Sequence, residues 1–138
     1  MSDPNKSDVE NVCKEFWRAF QGVLSWKWDS RHETVLAEFS VDRKDGVRAV
    51  LERYLGITWD SSNIGKATDA VRMINGHFGG LMPGQLLFTS PQDAAIYCAW
   101  WPWGDRKTIS IRVAPFYNKS SASEKAELIK LFKSWFGI

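Results

Sequence analysis

Two hydrophobic periods run along this chain, and the change from one to the other divides it. From Asp8 onward, Val9, Val12, Cys13, Phe16, Trp17, Phe20, Val23 and Leu24 recur at spacings of three and four. That is the apolar stripe of an amphipathic helix. Asp8 is a residue type that caps helix starts, and Glu10 suits the positive end of the helix dipole. The spacing predicts a helix of about 18 residues. Residues 1–7 are polar and read as a disordered tail, which leaves 8–138 as one domain.

A second stripe, Val47, Val50, Leu51, Tyr54 and Leu55, predicts a helix capped by Asp42 and stopped by Gly56. Ile57-Thr58-Trp59 reads as a link. A third stripe follows with Ile64, Ala67, Val71, Ile74 and Phe78. Ser61, Ser62 or Asn63 is its cap, and Gly79-Gly80 ends it. Ser25–Glu33 follows neither period. In Thr34–Phe39, Val35, Ala37 and Phe39 alternate with their neighbours, as in a strand at a sheet edge. Ser30-x-x-Glu33 instead matches a capping box that would open a helix. The alternation favours the strand.

The period becomes two in the stretch Gly84–Phe116. Gln85–Thr89, Ala94–Trp101 and Lys107–Ala114 read as strands. Ser90-Pro91-Gln92-Asp93 and Pro102-Trp103-Gly104-Asp105 carry turn chemistry between them. In the third strand Ile109, Ile111 and Val113 share one face, and Thr108, Ser110 and Arg112 share the other. The middle strand is apolar on both faces, as expected of a strand covered twice.

If Trp101 pairs with Arg106 across the turn, Cys98 faces Ile109 and Ile96 faces Ile111. Tyr97 then faces Ser110, and Tyr97, Trp101 and Trp103 stand beside Arg112 on the far face. A one-residue slip would mix the faces. That far face is either covered by the protein's own helices or is an exposed aromatic surface.

The last helix follows Pro115. Ser121-x-x-Glu124 is a capping box, and Leu128, Ile129, Leu131, Phe132, Trp135 and Phe136 are its apolar positions. Helices, then strands, then a helix give the α+β class. The expectation is a three-stranded antiparallel meander, four-stranded if 34–39 joins it. Three N-terminal helices and one C-terminal helix pack it, mostly on one face. Phe16, Phe20, Leu51, Val71, Ile74, Ile96, Ile109, Ile111, Leu128 and Phe132 are the expected core.

Composition narrows the classes. A chain of 138 residues with 44% hydrophobic and 25% charged residues can build a single real core. Cys13 and Cys98 sit at apolar positions and form no disulfide framework, which fits a reducing compartment. Met1–Asp8 is polar and no apolar run follows it. Neither a signal peptide nor a membrane span is read, and a cytoplasmic location is expected. Residues 63–138 carry nine basic and five acidic side chains, a milder excess than nucleic-acid binders show.

No motif carries catalysis or a metal. His32 and His77 have no partner at ligand spacing, and no serine has a nucleophile-elbow context. Gly79–Gly84 lacks a phosphate-loop Lys-Ser/Thr and follows a helix rather than opening one. No cofactor is expected.

What stands out is aromatic content: eight Trp, three Tyr and eight Phe. Tyr, Trp and Arg are the residues that anchor protein interfaces. The expected function is therefore a small protein-binding module of the inhibitor, immunity or adaptor kind, with homo-oligomers allowed. Its binding residues would be Tyr97, Trp101, Trp103, Arg106 and Arg112. Trp103 lies inside a turn and is expected to be substantially exposed, with Trp101, Arg106 and Arg112 near it, because chain reversals keep their backbone groups in water; folding back over the core edge is the alternative. One alternative is single-stranded nucleic-acid binding, with bases stacked on the sheet and phosphates on Arg106, Lys107 and Arg112. Another is a small-molecule site or enzyme between sheet and helices, with His77, Tyr97 and Arg112 as candidates.

Overall fold

The computed structural model describes residues 4–90, 96–115 and 121–138. One antiparallel sheet holds six strands: β1 Lys27–Asp29, β2 Thr34–Ser40, β3 Ile57–Trp59, β4 Leu86–Thr89, β5 Ile96–Pro102 and β6 Thr108–Pro115. Their order across the sheet is β1-β2-β6-β5-β4-β3. Four helices accompany it: α1 Pro4–Ala19, α2 Lys44–Leu55, α3 Asp69–His77 and α4 Ala122–Trp135. The class is α+β, as the element order predicts. No helix among the described residues is long and apolar enough to cross a membrane.

The sheet is wider than the expected three or four strands. The strand reading of 34–39 holds, but β2 is internal, between β6 and β1. Val35, Ala37 and Phe39 pair with Val113, Ile111 and Ile109, so the two core faces coincide. The extra strands β1 and β3 have three residues each, too few to display a period of two. They form the two edges. Such short edges offer little backbone for another chain to extend.

Helix boundaries also move. α1 begins at Pro4, not at Asp8, and proline suits a first helical position. A 3₁₀ turn over Val41–Arg43 precedes α2, and Ser40 accepts the hydrogen bond from the Asp42 N–H. The third stripe is split. Ile64–Lys66 is a separate 3₁₀ turn, and Thr68 rather than Ser61, Ser62 or Asn63 caps α3. Gly56, at φ 85°, ends α2 as expected. Ser121 caps α4 through the Glu124 N–H.

Two cores lie on opposite faces of the sheet. The larger joins α1, α2 and α4 to Val35, Phe39, Phe88, Cys98, Ile109 and Ile111. The smaller joins Val71 and Ile74 of α3 to Leu87, Tyr97 and Ala114. Three helices thus cover one face, and α3 covers part of the other. Of the expected core, only Leu128 is merely half-buried.

The β5–β6 register differs from the expected one by four residues. Trp101 pairs with Ser110, Cys98 with Val113 and Ile96 with Pro115. The turn Pro102–Asp105 is replaced by a longer connection, because Pro102 still pairs with Ile109. A shift by an even number leaves every side chain on its predicted face. The predicted turn from Ser90 runs into residues 91–95, outside the described residues.

Candidate functional site

The face of the sheet that α3 leaves partly open carries most of the polar side chains of β6. Ser110 and Arg112 point there because Ile109, Ile111 and Val113 take the opposite, core side. Arg112 lies between three partners. Its Nε donates to Asp29 Oδ2 at 2.9 Å, and its Nη1 donates to Ser110 Oγ at 3.2 Å. Its guanidinium carbon is 4.3 Å from the Trp101 ring centroid. Asp29 and Arg112 keep only 14% and 17% of their side-chain surface exposed.

His32 joins the same oxygen. Its Nδ1 is 2.9 Å from Asp29 Oδ2, while Asp29 Oδ1 accepts from the Arg31 N–H at 3.2 Å. Burial pushes the Asp29 carboxyl up, but the hydrogen bonds and charges of Arg112 and His32 outweigh that. The carboxyl is held below the usual carboxylate range. The His32 ring lies 5.4 Å from Phe78 and 5.6 Å from Trp101, centroid to centroid. Phe78 in turn meets Tyr97 and Trp101 edge-on at 5.7 and 5.1 Å. One imidazole therefore ties the β1–β2 loop to the end of α3 and to β5.

Tyr97 is buried beneath this cluster at 4% exposure. Burial and the charge of Glu33 push its hydroxyl up, so it stays protonated. Burial likewise pushes up the Cys13 and Cys98 thiols, which makes them inert. His77 is exposed, with its ring 5.3 Å from Phe78. Among the described residues no three His, Cys, Asp or Glu side chains group as metal ligands. The Asp29–His32–Arg112 cluster is a clamp: it joins β1, the β1–β2 loop and β6.

The five expected binding residues thus divide. Tyr97, Trp101 and Arg112 come together in that clamp. Trp103 and Arg106 stand apart, in the connection from β5 to β6. Trp103 is 44% exposed there. Its N–H donates to Thr108 O at 2.8 Å, and the Arg106 N–H donates to Trp103 O at 3.2 Å. Asp105 Oδ1 accepts from the Lys107 and Thr108 N–H groups, and Oδ2 accepts from the Thr108 hydroxyl. These bonds hold the Asp105 carboxyl below its usual range. The Val41 N–H donates to Lys107 O at 2.8 Å and fastens the tip to the end of β2.

Arg106 has φ 60°, a left-handed backbone that favours glycine. Glu33 shares that feature at φ 55°, and its carboxylate meets Lys125 at 3.1 Å. The Arg106 side chain is exposed and has no hydrogen-bond or ion-pair partner among the described residues.

Sequence reasoning missed the Asp29–His32–Arg112 contact. The Asp-x-x-His spacing was its only local signal; Arg112 lies 83 residues from Asp29. Comparison with protein families, characterised proteins and solved structures returns no match for this chain.

Proposed function

We propose that the chain is a protein-binding module that engages its partner through the tip of the β5–β6 hairpin. The observation that carries this reading is Trp103, 44% exposed on a tip whose backbone is already fixed by hydrogen bonds. A large aromatic held rigidly in water gains by entering a pocket, and little ordering entropy opposes it. Arg106 strengthens the case. A left-handed position held by arginine is strained by about 1 kcal/mol, and nothing described in the fold uses its side chain. Trp and Arg together form the usual anchors of an interface.

The alternatives draw less support. Base stacking on the sheet needs open aromatic faces. Tyr97 is buried, and Arg112 already covers the face of Trp101. For an enzyme, His32 has an orienting carboxylate, but that carboxylate is already engaged by Arg112, and among the described residues no three His, Cys, Asp or Glu side chains group as metal ligands.

The test is retention from a lysate of cells that make the untagged chain. Tagged wild type, Trp103→Ala and Trp17→Ala serve as baits. Trp17 is a control, at 42% exposure on α1. A protein kept by wild type and Trp17→Ala, and lost with Trp103→Ala at an unchanged melting point, supports the reading. The same proteins kept by all three baits would overturn it.

A further inference from the structure

The connection from β3 to β4 carries α3, and its two ends are pinned side by side. Trp59 of β3 pairs with Leu87 of β4, and Trp59 Nε1 donates to Thr89 Oγ1 at 3.0 Å. Between these anchors the polar contacts of residues 61–84 are internal or reach only the two stems. Asp60 Oδ1 accepts from the Ser62 and Asn63 N–H groups, Asn63 Nδ2 donates to Thr58 O, and the Met82 N–H donates to Gln85 Oε1. Beyond those stems, no hydrogen bond or ion pair joins 61–84 to the rest of the fold among the described residues. The other helices are tied. Tyr54 of α2 donates to Glu15 of α1, Lys125 of α4 meets Glu33, and the Val41 N–H ahead of α2 donates to Lys107 O.

Packing alone therefore holds α3 to the sheet. Its buried side chains are Val71 and Ile74, in one core with Leu87, Tyr97 and Ala114 of β4, β5 and β6. That core has five buried residues against twenty in the larger one, and the two share none. Apolar stabilisation follows the area removed from water, so α3 has much the weaker hold. Phe78, at the C-cap of α3, adds ring contacts to Tyr97, Trp101 and His32. In the stem that follows, Gly80 at φ 96° and Gly84 at φ 88° take a backbone conformation that suits glycine.

From these contacts we infer that residues 61–84 are a flap, which lifts from the sheet as a unit while the rest of the fold stays intact. Lifting breaks no strand pairing, because β3 and β4 remain joined at its base. It bares Leu87, Tyr97 and Ala114, an apolar strip across three adjacent strands that the closed flap keeps from water and from any ligand. Phe78 is the latch, since its ring reaches both β5 and the β1–β2 loop. A segment with few buried apolar side chains of its own opens at a lower free energy than the whole domain unfolds. The hairpin tip takes no part in this motion, so the device stands apart from the protein-binding reading.

Native-state hydrogen exchange of the full chain, in urea below the unfolding transition, tests this. The amides of Met73 and Ile74 in α3 should exchange through an opening at least about a hundredfold more frequent than global unfolding. That opening should also depend less on urea than exchange at Cys98 and Ile111, because it exposes less surface. Phe78→Ala loosens the latch and should speed exchange in α3 at least about tenfold. Ile111→Val lies in the larger core, whose contacts survive when the flap lifts. It should speed exchange in β5 and β6 roughly threefold or more and leave α3 unchanged. If Phe78→Ala does not fold, wild type and Ile111→Val still decide. Equal protection and equal urea dependence in α3, β5 and β6 of wild type would overturn the inference. So would an Ile111→Val variant that speeds α3 and β6 alike, since α3 would then open only by global unfolding.

Discussion

Arg112 and His32 share a single oxygen, Oδ2 of Asp29, each at 2.9 Å. Two donors from distant parts of the chain thus converge on one largely buried carboxylate. The carboxylate is on β1, Arg112 is on β6, and β2 lies between them. The contact therefore spans a strand and ties the edge to the centre of the sheet.

Removing the arginine should leave that carboxylate short of a partner. Arg112→Met is expected to cost about 2 kcal/mol, below the 3–5 kcal/mol range for fully buried pairs because some exposure remains. Asp29→Asn/Arg112→Met should cost less than the sum of the single changes, since the double variant buries no lone charge. Urea denaturation of the four proteins measures this. Strict additivity would show that the clamp contributes no pairwise energy.

Acid should weaken the fold through the same residue. The folded carboxyl of Asp29 lies below its unfolded value of about 3.9. Its contribution is therefore complete above that unfolded value and is lost as pH falls through the folded one. Asp60 and Asp105 are also held low, so they share in the wild-type loss. Asp29→Asn should be less stable than wild type at neutral pH and should lose less on acidification. Melting temperatures measured down to pH about 2 give the comparison. Parallel curves for the two proteins would place the acid sensitivity elsewhere.

Strand β6 tests how far face assignment from sequence can be carried. Ile111 is fully buried in the larger core. Ile111→Ala should cost roughly 2–5 kcal/mol, as for other buried aliphatic truncations. Chemical denaturation reads the loss directly. A cost below about 1 kcal/mol would mean that the site collapses around the deletion or that the core assignment fails.

The face of Ile111 was legible because alternation over eight residues fixes which side chains share a side. The register was not. It depends on where the connection closes, and Pro102-Trp103-Gly104-Asp105 looked like a complete turn. In the fold the Asp105 carboxylate closes a longer one by binding the Lys107 and Thr108 N–H groups. The edge strands Lys27–Asp29 and Ile57–Trp59 gave no signal because three residues hold too little of a period. The Asp29–Arg112 bond gave none because folding alone brings residues 83 apart together. The exposure of Trp103 could be anticipated, since chain reversals keep their backbone groups near water.

Arg106 offers the sharpest separation of stability from function. Its φ of 60° places an L-residue where the Cβ crowds the backbone, and glycine relieves that strain. Glycine also raises the entropy of the unfolded chain, which offsets part of the gain. Arg106→Gly should therefore stabilise the fold slightly, by up to about 1 kcal/mol. It removes the guanidinium as well, so retention of a partner through Trp103 should weaken. A residue kept only for its side chain gives this opposite pair of effects. Arg106→Lys keeps a charge and the strain, and should bind better than the glycine variant. Thermal melts and the retention assay, run on the same three proteins, decide the matter. If Arg106→Gly is destabilising, the side chain supports the tip itself, and its role as an interface anchor falls.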